Sequence, residues 1–349
     1  MSSKDNRDIN GAEDIWTKLQ KLRKVPEKSE SKEAETTNAG DAGAESSSSM
    51  TVNQQIIFVG DAGSGKSTLI QTFIKPNAVK DTKPTVALEY NFARKTVNNT
   101  KYVSNLWEVG GDFLESKYLE IPLTKDSLKS SAIVICCDLS KPHNVIVSVL
   151  RSLSAIREIL KRTLADLQST NVHALNEIKD SISQTYKGHP DANKVKPLEL
   201  PIVIIGNKYD TMRTMTIAER RAVLQALRFI SHYFGAIFMT VSVNDSNNRE
   251  LFRSLMNSLS FNVPLKASNE VNVDKYVYIT RAQDTYESIL LGNLANETAE
   301  SAKVSQTQSS SLPLCSLIGL YSSIAWSIMK LKWINILPKR ESQEIAGID

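Results

Sequence analysis

The chain is poor in cysteine, with three in 349 residues. Cys136 and Cys137 are neighbours inside an apolar run, and Cys315 stands far from both. That pattern is no disulfide framework, so a reducing, cytosolic setting is expected. Net charge is also low, at +4, and no dense Lys/Arg patch occurs. Nucleic acid is therefore not expected as a partner. The first residues carry charges in place of an apolar stretch, so a secretory leader is not expected either. Long uncharged apolar runs are scarce. One, from Leu312 to Met329, reaches the lower edge of a membrane-span length. Ser316, Gly319, Ser323, Ser327 and Lys330 recur through it at helical spacing. That polar stripe favours an amphipathic helix packed on a partner over a span, and membrane attachment is not expected.

What is present fits a globular chain, with 41% hydrophobic and 23% charged residues. The length suits one domain of ordinary size with flanking segments, or two small domains.

The organising stretch lies at residues 54–70. A short apolar run, Ile56 to Val59, ends at Gly60, and G-x-x-x-x-G-K-S follows from Gly60 to Ser67. A helical pattern comes next. This strand, loop and helix order is that of a phosphate-binding P-loop. Gly60, Gly63 and Gly65 permit the backbone angles that turn successive N–H groups inward on an anion. A helix starting near Lys66 adds the positive end of its dipole. The expected nucleotide contacts are Gly60, Asp61, Ala62, Gly63, Ser64, Gly65, Lys66, Ser67 and Thr68. Lys66 can reach outer phosphates, and the Ser67 hydroxyl can ligate Mg²⁺.

Four segments follow from the patterning. Residues 1–50 hold a short amphipathic helix around Ile15, Trp16, Leu19 and Leu22, then a Ser-, Glu- and Lys-rich stretch expected to be disordered. Residues 51–265 alternate strands with helices, which predicts a doubly wound, mostly parallel α/β sheet. Strands are expected at 54–59, 84–94, 101–107, 131–139, 202–205 and 236–243. A polar turn at Asn98-Asn99-Thr100 joins the second and third. A long apolar stripe runs from Ile146 through Leu167, breaks near Ser169-Thr170-Asn171, and resumes with Val172, Leu175, Ile178, Ile182 and Tyr186. Residues 266–311 form an extension and linker, with one further strand at 276–279. Residues 312–349 form the apolar helical tail.

A second motif sits at the carboxyl end of a predicted strand. Asn207-Lys208-Tyr209-Asp210 reads N-K-x-D, the guanine-reading motif of P-loop GTPases. Asp210 can accept two hydrogen bonds from a guanine edge, a pair that adenine does not offer. Asn207 would brace the loop, and Lys208 would lay its stem along the base. GTP or GDP with Mg²⁺ is the expected cofactor.

The parts needed for hydrolysis depart from the expected pattern. Thr85, or Thr82, would complete Mg²⁺ with Ser67. Where Asp-x-x-Gly and a water-orienting Gln are expected, the chain has Trp107-Glu108-Val109-Gly110-Gly111-Asp112. Glu108 would crowd the metal's water shell, and Asp112 would face the phosphate with like charge. Ala62 puts a methyl toward the space where a water-orienting group belongs. No catalytic residue is assigned, and slow or absent turnover is expected.

These residues carry a resemblance. Lys83-Pro84-Thr85-Val86-Ala87-Leu88-Glu89-Tyr90, Leu106-Trp107-Glu108-Val109-Gly110-Gly111, Asp138-Leu139-Ser140-Lys141-Pro142, the run Val203 to Asp210 and the run Leu227 to Ala236 resemble the dynein light intermediate chain family. The Lys83–Tyr90 run and the Trp-Glu-x-Gly-Gly motif are similar to its dynein 2 branch. The long adaptor-binding tail expected of the dynein 1 branch is not seen. The resemblance implies a P-loop, Ras-like G domain used as a non-catalytic accessory subunit of a motor. Its implied partners are the dynein 2 heavy chain, other dynein 2 subunits and the intraflagellar transport machinery. Its implied places are cytoplasm, cytoskeleton, cilium and basal body. An active regulatory GTPase that changes partners on hydrolysis is the alternative.

Overall fold

The computed structural model describes residues 51–76, 83–111, 117–265 and 267–291. The N-terminal helix, the 296–311 linker, the 312–337 tail, Thr82 and Asp112 lie outside the described residues.

Seven strands form one sheet in the order β2-β3-β1-β4-β5-β6-β7. They are β1 (Thr51–Val59), β2 (Leu88–Val97), β3 (Thr100–Val109), β4 (Ser131–Asp138), β5 (Ile202–Asn207), β6 (Ile237–Val241) and β7 (Tyr278–Ile279). The five central strands run parallel, and β2 and β7 are antiparallel at the two edges. The helices are α1 (Lys66–Ile74), α2 (Pro142–Thr170), α3 (Val172–Thr185), α4 (Tyr209–Met212), α5 (Ile217–Tyr233), α6 (Ser246–Phe261) and α7 (Tyr286–Leu291). The architecture is the expected mixed α/β one with a mostly parallel sheet.

Two apolar layers cover the sheet. On one face Ile57, Ile133 and Ile204 meet α2 and α5 through Val149, Leu153, Leu224 and Leu227. On the other, Ile56, Phe58 and Val203 meet α1 and α6 through Leu69, Phe252 and Leu255. Residues 132–137 of β4 are therefore buried throughout, as a strand covered on both faces must be.

Local chemistry sets the boundaries. Pro142 opens α2, where its missing N–H costs nothing. The break before α3 falls at Asn171, whose side chain accepts from the Ala174 N–H at 3.0 Å. Thr216 and Glu219 cap α5 reciprocally. Asn98 and Asn99, at φ 48° and 65°, make the two-residue turn between β2 and β3.

Three features differ from the expectation. The strand expected at 84–94 begins at Leu88, and the stretch 84–87 stays out of the sheet. Gly110 packs beneath it and donates its N–H to Ala87 O at 2.7 Å. A Cβ at Gly110 would lie 2.8 Å from Val86 O, so that stretch rests on bare backbone. Val172 is 55% exposed, because its helical position faces solvent beside the Asn171 cap. The sheet also continues past residue 265, since β7 pairs with β6.

A polar clasp holds the 267–291 segment. Arg228 of α5 forks onto Asp284 at 2.9 and 2.8 Å. Asp191 Oδ2 receives the Tyr286 N–H at 2.9 Å and lies 3.1 Å from His232 Nε2. His189 Nε2 lies 3.0 Å from Asp284 O, and its Nδ1 accepts from the Asp191 N–H at 3.1 Å. His189, Asp191 and His232 form the one metal-like grouping among the described residues. Both nitrogens of His189 are already engaged with backbone, so the group reads as a structural clasp.

Candidate functional site

The P-loop leaves β1 at Gly60, whose φ is 138°. A Cβ there would lie 2.0 Å from Cys136 O, so only glycine lets the loop pass the end of β4. Gly63 and Gly65 also have positive φ, 75° and 89°. A Cβ at Gly65 would lie 2.2 Å from Asn207 Nδ2. Gly65 serves as the N-cap residue of α1, and Lys66 is its first residue.

Lys66 is buried, and its Nζ donates to Gly60 O at 2.9 Å and Asp61 O at 3.0 Å. The ammonium is thereby curled into the mouth of its own loop. Asp61 is paired by Arg151 from α2. Ala62 and Gly63 are exposed at the tip. The backbone of Gly111 lies against Ala62, such that a Cβ on Gly111 would fall 2.1 Å from Ala62 N.

The N-K-x-D stretch grips the same loop. Asn207 Nδ2 donates to Ser64 O at 2.9 Å, the bracing expected of it. Lys208 has a left-handed backbone, φ 61°, and its Nζ reaches Gly63 O at 2.8 Å and Asp138 Oδ2 at 2.7 Å. Burial alone would raise the Asp138 carboxyl, but hydrogen bonds from Lys208 and Ser140 hold it below its ordinary range. Asp210 accepts from Ser242 Oγ at 2.8 Å and from Asn244 Nδ2 at 2.9 Å. Those bonds outweigh its partial burial and keep it ionised below the usual carboxylate range.

Of the expected metal ligands, Ser67 Oγ donates to Glu108 Oε1 at 2.8 Å. Thr85 Oγ1 lies 3.3 Å from Glu89 Oε2, and Glu89 stands opposite Glu108 in the β2–β3 register. Glu108 is buried, and desolvation raises its pKa despite the hydrogen bond from Ser67 and the charge of Lys66. Thr68 is half-buried on α1 behind the loop.

The residues present fit a guanine nucleotide with Mg²⁺. The loop supplies turned amides, and α1 supplies its N-terminus and Lys66. Two buried polar atoms at this site, Ser64 Oγ and Asn207 Oδ1, have no hydrogen-bond partner among the described residues. Such orphans are what a site completed by a polar ligand contains. Asp210 keeps acceptor capacity beside Ser242, because a carboxylate has about four lone-pair sites.

Sequence reading missed Asp138, Arg151, Ser242 and Asn244. Asp138 ends β4 and Ser242 follows β6, so both lie at carboxyl ends of parallel strands. That rule for α/β sheets was the available signal. Arg151 had none, since it sits among similar charges on a long helix.

The sequence model of the family described as "Dynein light intermediate chain (DLIC)" matches residues 38–193. A cytoplasmic dynein 2 light intermediate chain 1 of Homo sapiens is 30% identical over 259 residues, 73% of either chain. A cytoplasmic dynein 1 light intermediate chain 1 of Homo sapiens is 26% identical over 115 residues, covering 32% of this chain and 21% of that one. The crystal structure of a dynein light intermediate chain's conserved domain aligns with TM-score 0.52 and 16% identity, over 78% of this chain and 97% of that one. This last likeness concerns the fold alone. The human dynein 2 relative, 30% identical and matched over 73% of its length, places the chain: it belongs to the dynein light intermediate chain family.

Proposed function

We propose that this chain is a non-catalytic accessory subunit of the cytoplasmic dynein 2 motor complex. It binds and stabilises the heavy chain, together with other dynein 2 subunits. It thereby serves microtubule-based retrograde intraflagellar transport and cilium assembly, acting in cytoplasm and cytoskeleton and at the cilium and basal body. The observation that carries this reading is the 73% coverage, in both directions, of a human dynein 2 light intermediate chain.

In this reading the P-loop holds GTP or GDP with Mg²⁺ as part of the fold. Lys66 and the amides of residues 60–67 hold phosphates, Asp210 and Asn207 read the base, and Ser67 with Thr85 holds the metal. The ion, when bound, neutralises phosphate charge. Around it, Glu108 adds a carboxylate on Ser67, and Gly111 backbone crowds Ala62. In the sequence, Asp112 stands where a water-orienting Gln is expected and would face the phosphate with like charge, which supports binding without turnover.

Native affinity purification of the full chain from ciliated cells tests the first part. Co-recovery of a dynein heavy chain is expected, and its absence would sink the reading. Denaturing the purified protein and identifying released nucleotide tests the second. Guanine nucleotide is expected from the wild type and none from Lys66→Ala. Multiple-turnover GTP hydrolysis would overturn the non-catalytic reading in favour of a regulatory GTPase.

A further inference from the structure

The edge strand β2 carries an exposed aromatic and basic ladder that the nucleotide site does not use. Tyr90 and Phe92 are each 49% exposed, on one face of the strand. Their rings stack at 6.4 Å, and Tyr90 packs on Trp107 of β3 at 4.8 Å. The Arg94 guanidinium sits over the Phe92 ring at 4.8 Å, and Tyr90 Oη donates to Asn105 Oδ1 at 2.8 Å. The ladder is thus held in place. On the opposite face Glu89 and Lys95 are exposed at the two ends of the strand.

The backbone of β2 is half used. Gly110 donates to Ala87 O, and the register runs Leu88↔Val109 to Val97↔Thr100. Odd-numbered residues therefore bond β3, and the N–H and C=O groups of Leu88, Tyr90, Phe92, Arg94 and Thr96 point outward. Among the described residues no strand pairs with that edge. A ten-residue edge with an apolar face is a template for strand addition.

We propose that this edge pairs antiparallel with the β2 edge of a second copy of the chain, symmetric about Phe92. The sequence of the strand is self-complementary in that register. Phe92 meets the partner's Phe92. Tyr90 meets the partner's Arg94, and Arg94 the partner's Tyr90, a cation–π pairing of the kind that Arg94 makes with Phe92 within the strand. Glu89 meets the partner's Lys95, and Lys95 the partner's Glu89. Every outward backbone group from Leu88 to Thr96 finds a mate. Recentring the pair on Asn91 or Ala93 keeps the hydrogen bonds but breaks both charge pairs. The two-fold relation makes each contact occur twice, as a closed isologous interface requires. A single strand edge buries little surface, so the dimer is weak.

Sedimentation velocity on the full chain, over a concentration series at low salt, tests this. The wild type shows a concentration-dependent dimer. Glu89→Lys alone and Lys95→Glu alone each place like charges opposite one another twice, and each weakens the dimer by about tenfold or more. Mixing the two single variants restores every charge pair and yields a heterodimer, and the double variant Glu89→Lys/Lys95→Glu restores the homodimer. Tyr90→Ala weakens association without touching those charges. Thermal melts confirm that the variants are folded. A wild type that stays monomeric throughout the series would overturn the proposal. So would a mixture no more associated than its components, the result expected if the edge instead receives a different polypeptide.

Discussion

The hydroxyl of Ser67 donates to Glu108 Oε1 at 2.8 Å, across 41 residues of sequence. That bond joins the first turn of α1 to the end of β3 and sets the charge at the mouth of the P-loop. Glu108 is 3% exposed, and desolvation raises its pKa above the ordinary 4.5. A raised carboxyl favours the protonated form in the folded state. Its contribution is complete below 4.5 and is lost as pH rises through the folded-state value.

The ionised carboxylate at neutral pH is therefore a burden on the fold, and Glu108→Gln keeps the acceptor for Ser67 while removing the charge. Calorimetry at pH 7.5 should show Tm raised by about 2–4 °C, equivalent to roughly 1 kcal/mol. The difference should close toward pH 4. A lower Tm at pH 7.5 would mean that Lys66 stabilises the anion more than burial opposes it.

Asp138, at the end of β4, anchors Lys208 at 2.7 Å, and the same ammonium reaches Gly63 O of the P-loop at 2.8 Å. Hydrogen bonds from Lys208 and Ser140 overcome burial and depress the Asp138 carboxyl, so its stabilisation is present above the ordinary 3.8 and fades as pH falls through the lower folded value. Lys208 is 39% exposed, so solvent screens the pair. Asp138→Asn should cost about 1 kcal/mol or less at pH 7. Urea melts should show that cost shrinking toward pH 3 and in high salt.

Arg228 and Asp284 are 11% and 6% exposed, and their forked contact ties α5 to the segment before α7. Removing one charge strands the other in a buried place. Arg228→Ala should destabilise the chain by about 3 kcal/mol or more. Limited proteolysis should then cut within 281–291, where the wild type resists. Unchanged protection would show that apolar packing alone holds the segment.

His232 is buried against Asp191 and faces Asp284 and His189. Burial depresses its pKa despite Asp191, so the neutral ring is the folded form. For a depressed histidine, stability is full above the ordinary 6.5 and declines as pH falls from there toward the folded value. Thermal melts from pH 7.5 to 5.5 should show a falling Tm, and His232→Gln should flatten the slope over that window. An equal slope in the variant would assign the pH response elsewhere.

Much of this was legible from local pattern. The Gly60–Ser67 spacing announced the loop, and the apolar run at 132–137 announced a strand buried on both faces. Asn171 as a helix break and Asn98-Asn99 as a turn follow from side-chain capping and left-handed backbone. What misled was also physical. Pro84 to Ala87 read as strand by composition, yet they sit on the backbone of Gly110, a neighbour only in space.

The sequence by itself determined the chain's elements and the identity of its loop. Helical periodicity, glycine conformations and strand alternation depend on residues a few positions apart, and they act before any fold exists. Only the tertiary structure decided what faces what. It set Glu108 on Ser67, Ser242 and Asn244 on Asp210, and Asp138 on Lys208, and it left the outward half of β2 unpaired among the described residues. Those relations come from parallel strands whose crossovers bring together segments up to 70 residues apart, as with Asp138 and Lys208. Burial, and with it the balance of charge at each of these groups, is a property of that assembly and of no single stretch.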